Sequence, residues 1–345
     1  MTDSFAERLL AWHASHGRHD LPWQVSDPYR VWLSEIMLQQ TQVTTVIPYY
    51  ARFLARCPTV ADLAAAPHDD VMALWAGLGY YTRARNLHAA AKKVMSDFGG
   101  VFPQPPEDIV TLPGVGRSTA AAIAAFSFNT RSAILDGNVK RVLARWAGID
   151  GNIASKAIET RMWDLAQSLL PASQEMPAYT QAIMDLGATV CTPKKSACLT
   201  CPMQEDCVAR REGRQLELPA PKPKKKIPER QTVMLMVRDG ERILLEQRPP
   251  TGIWGGLWAL PETPSTLEAE ADFARRYGMN IALEPVLPEL VHVFTHFRLT
   301  ITPQPAHVVG ANALKSDQTR WFTRHEALAA GIPTPLRKLL LLPSV

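Results

Sequence analysis

The chain has 345 residues, of which 46% are hydrophobic and 20% charged, with a formal net charge of +4. That length exceeds one ordinary domain and suits two, and the composition is that of a globular, soluble chain. No apolar run approaches a membrane span, and an N-terminus carrying acids and histidine without an apolar core does not read as a secretory signal, so a cytoplasmic placement is expected.

In chain order, apolar positions recur at three- and four-residue spacing over Val31–Val46, Ala61–Leu78, Arg83–Phe98, Ser118–Phe126, Val139–Ala147 and Ala157–Leu170. This spacing predicts helices joined by short loops. The first segment holds Glu35, the only charged residue between Arg30 and Arg52. Trp32, Leu33, Ile36, Met37 and Leu38 surround it in sequence and leave little room for a solvated face. A carboxyl group in such company holds its proton to higher pH, as a general acid requires. An ordinary exposed helix glutamate is the alternative.

Leu74-Trp-Ala-Gly77-Leu-Gly79 and Leu112-Pro-Gly114-Val-Gly116 each lead into a helical pattern, a short internal echo of helix, glycine hairpin, helix. The second, Gly114 to Ser118, turns tightly and presents unpaired helix N–H groups that suit a phosphate. A plain helix connection reads the same way. Asp136, in Ile134-Leu-Asp136-Gly-Asn138-Val-Lys140-Arg141, precedes a helical pattern and reads as an N-cap. An ionised carboxylate there also suits a developing cation.

Four of the five cysteines fall in one short stretch, Cys191-x6-Cys198-x2-Cys201-x5-Cys207. Such crowding points to metal rather than disulfides. Four thiolates match a cuboidal iron–sulfur cluster, one per iron. Zinc, which favours two Cys-x2-Cys pairs, and free buried thiols are the alternatives. Residues 219–228 form a proline- and lysine-rich linker. Beyond it, strand patterns at Thr232–Val237 and Arg242–Glu246 flank Asp239-Gly240, a hairpin signal. A helix over Leu267–Tyr277 and strands at Leu290–Phe294, Arg298–Thr302 and Gln318–Phe322 complete a smaller α+β domain over 229–345.

Together the Leu-Pro-Gly-Val-Gly hairpin, the following Asp and the four-cysteine loop resemble the helix–hairpin–helix, endonuclease III-like DNA glycosylase superfamily. Four stretches narrow the resemblance to its adenine-specific, MutY-type branch: Leu21-Pro-Trp23-Gln24, Trp32-Leu-Ser-Glu35-Ile-Met-Leu-Gln-Gln40-Thr41-Gln, Gly77-Leu-Gly-Tyr80-Tyr-Thr-Arg-Ala-Arg, and Ile134 to Arg141. The likeness runs from about residue 5 to 210. It implies a mainly α glycosylase domain over 1–218, with a [4Fe–4S] loop held by Cys191, Cys198, Cys201 and Cys207, joined by the linker to a Nudix-like (MutT-like) domain. The implied activity is monofunctional hydrolysis of adenine from duplex DNA, where it is mispaired with 8-oxoguanine or guanine, in base excision repair by a monomer.

By the same resemblance Glu35 protonates adenine N7 and Asp136 stabilises the oxocarbenium-like sugar. Gln40, Thr41, Tyr80, Gly114, Gly116, Ser118, Asn138 and Lys140 bind DNA, with Gln40 and Tyr80 propping the opened stack. From residues alone Tyr80 reads as a core aromatic, the commoner fate of a tyrosine among glycines and leucines. Leu21, Trp23 and Gln181 line the adenine pocket. Strand-cutting relatives carry a Schiff-base lysine at the position of Ser118, so efficient lyase chemistry is not expected. Leu244 to Trp258, including Gly252 and Trp254, carries the Nudix likeness. Glu268, Glu270 and Asp272 do not form the glutamate array of a working Nudix hydrolase, so no pyrophosphohydrolase activity is expected. Phe294, Thr295 and His296 are the implied readers of 8-oxoguanine; periodicity alone reads them as an alternating strand with a solvent-facing histidine.

Overall fold

The computed structural model describes residues 4–220, 227–310, 316 and 318–342; most of the linker, 221–226, lies outside them. In chain order the helices of the first part are α1 (Phe5–His16), α2 (Pro28–Leu38), α3 (Val43–Arg56), α4 (Val60–Ala65), α5 (His68–Trp75), α6 (Thr82–Asp97), α7 (Pro106–Ile109), α8 (Arg117–Phe128), α9 (Gly137–Trp146), α10 (Lys156–Ser168), α11 (Met176–Asp185) and α12 (Val208–Arg211). The chain divides into two compact units, one of residues 1–65 and 86–224, the other of 66–85 and 225–345.

In the first unit, α2 packs on α8, and α11 on α1, α8 and α9. Asp27 caps α2, its side chain accepting from the Arg30 N–H, with Pro28 at the first turn, where a missing N–H costs nothing. Trp32, Leu33, Ile36 and Met37 are buried along it. The helix expected over 31–46 is broken: α2 ends at Leu38 and α3 starts at Val43. Between them Gln40 is left-handed, with φ of 56°. Apolar spacing continues through the break, so periodicity does not register it. The helix expected over 61–78 divides likewise, at Pro67, which caps α5 and cannot continue α4.

Helix α11 runs into a π-helical turn over Leu186–Val190, closed by the Cys191 N–H on the Leu186 carbonyl at 2.7 Å. Gly187 sits there, where a Cβ would lie 2.6 Å from Asn138 Cβ. The end of α11 and the start of α9 therefore approach as closely as they do because residue 187 has no side chain.

The second unit is built on a mixed sheet of β1 (Glu229–Asp239), β2 (Arg242–Gln247), β3 (Trp258–Ala259), β4 (Glu262–Thr263), β5 (Asn280–Leu283), β6 (Leu290–Val293), β7 (Arg298–Val309) and β8 (Thr319–Thr323). The main path is β3-β2-β1-β7-β5; β4 pairs with β1, β6 with β7, and β8 with β2. Strands β1 and β7 are parallel, from Glu229 against Arg298 to Arg238 against His307, and the other pairs are antiparallel. The hairpin expected at Asp239-Gly240 is present, with Asp239 opposite Arg242. Helix α13 (Ala269–Tyr277) lays Phe273 and Tyr277 on Val233, Leu235, Val237 and Leu244. Two short helices, α14 (Arg324–Ala329) and α15 (Thr334–Leu340), follow β8.

Residues 66–85 join this unit through named contacts. The Asp69 carboxylate accepts from Gln247 Nε2 at 3.1 Å and Trp258 Nε1 at 3.2 Å, and Arg85 Nη1 donates to the Gly255 carbonyl at 2.6 Å.

Candidate active site

One cavity of about 940 Å³ in the first unit gathers side chains from the loop before α2, the α2–α3 turn, the start of α8, the start of α9 and α11. Of the residues singled out in the sequence, Leu21, Trp23, Glu35, Gln40, Thr41, Ser118, Asp136, Asn138 and Gln181 line it. The space suits a small-molecule-sized group bound among apolar walls with a few polar contacts.

Glu35 lies on α2 among buried neighbours, and what exposure it keeps is toward this cavity. Burial pushes its pKa from an ordinary 4.5 up to about 8, and the nearby charge of Asp136 adds to the rise. Asp136 is the N-cap of α9 and accepts from the Val139 N–H at 2.8 Å. Burial raises its pKa too, against the lowering pull of the Val139 and Asn138 N–H groups and of Arg141 and Lys140. Both readings of Asp136, cap and cavity carboxylate, are thus realised by one side chain. Two carboxyl groups thus share one cavity, both with pKa raised by burial and Glu35 far enough to hold its proton near neutral pH, an arrangement chemically able to pair an acid with a carboxylate stabiliser.

Ser118 has a positional part: its Oγ accepts from the Leu135 N–H at 2.9 Å and so ties the start of α8 to the strand of chain that carries Asp136. Gly114 has φ of 79°, and a Cβ there would lie 2.8 Å from Asn86 Cβ. Gly116 differs. Its φ is −94°, it caps α8 without a side chain, and a Cβ would meet nothing. Glycine at 116 leaves the α8 N-terminus uncovered, with its N–H groups open to an anion. Gly114, Gly116 and Lys140 are outside the cavity lining, and Lys140 Nζ is engaged by Glu159 at 2.6 Å.

Trp23 is buried, its ring edge-on to Tyr50 at 5.5 Å, and serves as wall and core at once. Tyr80 belongs to the second unit. It is 43% exposed with φ of 48°, which removes the core-aromatic reading. Phe294 to Phe297 form the tip of the β6–β7 hairpin rather than a strand: the Phe294 N–H bonds the Phe297 carbonyl at 2.9 Å, and Thr295 and His296 are exposed. Trp254, itself left-handed, stands 5.6 Å from the Phe294 ring and 5.9 Å from the His292 ring, and braces this tip. The acids of α13 are occupied locally: Asp272 pairs with Arg275 and Arg276, and Glu270 accepts from the Leu283 N–H.

Cys191, Cys198, Cys201 and Cys207 line a second cavity, with Arg145, Ser196, Gln204 and Gln215. Among the described residues no three His, Cys, Asp or Glu side chains converge on a single ion. The four thiols line one space, and their donor chemistry suits a metal centre bound by thiolates. Cys201 is pushed up to about 11, by burial first and then by the neighbouring thiols. Such a group becomes a thiolate when cationic metal supplies the missing charge. Arg145 is 3% exposed. Its Nη1 points at Cys191 Sγ at 3.4 Å and donates to the Thr192 carbonyl and Ser196 Oγ, each at 2.8 Å.

The sequence reading assigned no role to Arg18, Arg141, Arg145 or Asp185. Arg141 donates to Asn138 Oδ1, the Gly187 carbonyl and the Cys191 carbonyl, at 2.9, 2.7 and 2.7 Å, and so joins the floor of the first cavity to the cysteine segment. The sequence signal for it is its place at the end of the Ile134 to Arg141 stretch that carries the resemblance.

Residues 33–168 match the HhH-GPD superfamily of base excision DNA repair proteins, and residues 232–342 match the NUDIX domain. The chain is 37% identical to an adenine DNA glycosylase of Buchnera aphidicola subsp. Baizongia pistaciae, over 97% of this chain and 95% of that one. An adenine DNA glycosylase of Rattus norvegicus is 35% identical over 97% of this chain and 77% of its own. Among solved structures, a thermostable thymine-DNA glycosylase superposes with a TM-score of 0.55 at 29% identity, covering 60% of this chain and 95% of its own. With a glycosylase fold, a two-carboxylate cavity and relatives matched along nearly the whole length, the chain belongs to the adenine DNA glycosylases, enzymes of the HhH-GPD base excision repair superfamily.

Proposed function

We propose that the enzyme removes adenine paired with 8-oxoguanine, or with guanine, from duplex DNA, and that Glu35 and Asp136 carry the reaction. The observation that supports this most directly is the raised pKa of Glu35, about 8, in one cavity with Asp136, the residue that caps α9. The adenine is everted into the cavity, since the bond to be cut is out of reach within the duplex. Glu35 gives its proton to N7. The C1′–N9 bond then breaks with its electron pair passing to the base, and Asp136 faces the cationic sugar. Water adds at C1′ and returns a proton to the Glu35 carboxylate, leaving an abasic site and free adenine.

Gln40 and Tyr80 fill the opened stack in this reading. The uncovered start of α8, at Gly114 to Ser118, takes a backbone phosphate together with Thr41 and Asn138. Phe294, Thr295 and His296, at an exposed hairpin tip, read the 8-oxoguanine. Strand cleavage is not expected: Ser118 has no amine, and Lys140 is held by Glu159. Cys191, Cys198, Cys201 and Cys207 would hold a [4Fe–4S] cluster, which supplies a rigid cross-link between the segments it joins. Residues Lys194, Lys195, Arg210 and Arg211 give that loop a cationic surface for phosphates.

Single-turnover excision from an A:8-oxoguanine duplex tests the proposal. Wild type is expected to release adenine, and Glu35→Gln to release it roughly 10²–10⁴-fold more slowly. Equal rates, or adenine left attached by wild type, would refute it.

A further inference from the structure

Gln181 lines the adenine cavity and is 8% exposed; behind it lies Asp185, one turn along α11 and 0% exposed. Asp185 Oδ1 accepts from Gln181 Nε2 at 2.7 Å and from Arg18 Nε at 2.8 Å, with Arg18 Nη2 on the same oxygen. Oδ2 accepts from the Arg18 backbone N–H at 2.8 Å, and His13 Nε2 stands 3.6 Å away. The loop that carries Arg18 is itself tied down, Gln24 bonding the Arg18 carbonyl and the Leu21 N–H.

A glutamine amide has a donor end and an acceptor end of nearly equal shape, and its orientation follows from its partners. A carboxylate paired with a guanidinium can only accept. The NH2 of Gln181 must therefore face Asp185, because the reverse orientation would set oxygen against oxygen. We propose that Asp185, held by Arg18, is a positioning residue that fixes the Gln181 amide with its carbonyl oxygen toward the cavity, and that this polarity selects purines with a 6-amino group over purines with a 6-oxo group. The 6-amino group donates to that oxygen. A 6-oxo group, an acceptor, meets another acceptor and is rejected.

The inference rests on adenine excision by this cavity. Its test uses the full-length protein under single turnover on duplexes that carry adenine, hypoxanthine or unsubstituted purine opposite 8-oxoguanine. Purine has neither donor nor acceptor at position 6 and reports general damage to the site. In Asp185→Asn the new side chain can donate its own NH2 and reverse the Gln181 amide. The adenine-to-hypoxanthine rate ratio is expected to fall roughly tenfold or more, with purine removal setting the baseline. A uniform loss on all three substrates, or an unchanged ratio, would overturn the proposal. Should Asp185→Asn not fold, Gln181→Leu decides, since it keeps the Asp185–Arg18 pair. Adenine removal is then expected to drop relative to purine, and an unchanged adenine-to-purine ratio counts against the idea. If wild type leaves adenine in place, the functional reading itself falls; if wild type excises adenine and the ratios hold, only the positioning role does.

Discussion

In the proposed reaction Glu35 has to be protonated and Asp136 ionised for the same turnover, so the two carboxyl groups bound activity from opposite sides. The rate is expected to fall as pH rises through about 8, where Glu35 loses its proton. A rate flat from pH 7 to 10 in a pH–rate profile would contradict this. Stability follows the same proton. The folded chain holds it more tightly than the unfolded chain does, so the contribution is full below the ordinary 4.5 and is lost as pH rises toward about 8. Glu35→Gln should therefore melt above wild type at pH 8–9, with the gap closing near pH 4, as calorimetry would read. Asp136→Asn separates cap from charge. Asparagine caps about as well as aspartate, so melting should shift by less than ~0.5 kcal/mol equivalent while excision drops roughly 10²-fold or more. Both carboxylates were legible in sequence, one from its apolar neighbours and one from its place before a helix. Asp185 was not, because its partner Arg18 lies 167 residues away and no local pattern records that pairing.

Between elements, the contact that matters most for the site is the approach of the α11 end to the α9 start. Gly187→Ala would place a methyl group 2.6 Å from Asn138 Cβ and 3.2 Å from the Asn138 backbone, so something must shift. A cost of about 1–3 kcal/mol is expected, with a loss of excision beyond what stability explains, since Asp136 caps the displaced helix. Melting and single-turnover rates measured together would show it. Arg145, on α9, faces Cys191 and binds the carbonyls of the cysteine segment. If the four cysteines hold iron as proposed, Arg145→Leu should weaken its retention about 10–100-fold, followed as iron remaining per chain in the presence of a chelator. Most helices are visible in the apolar spacing of the sequence. The breaks at Gln39–Gln42 and at Pro67 are less so, because apolar positions on either side stay in phase. Short strands such as β3 and β4 have too few residues to show a period at all.

At the scale of the whole molecule, the segment 66–85 lies in the first half of the sequence and packs with the second compact unit. Nothing in its composition signals this, since the contacts that hold it, Asp69 to Gln247 and Trp258 and Arg85 to Gly255, span about 170 residues and more. Hydrogen exchange under mild denaturant should show 68–75 opening together with β1 and β7 rather than with α8 and α9. Independent opening would argue against the grouping. Gln40 and Tyr80 raise a different matter. Each is a non-glycine residue in left-handed backbone, and each is exposed, so the chain spends about 1–2 kcal/mol at either position on a conformation glycine would take freely, against an entropy cost of ~0.5–1 kcal/mol for that glycine. A library sorted by heat resistance alone should therefore accept glycine at both places, and would enrich proteins that endure warming yet have lost the side chains assigned to holding a duplex apart.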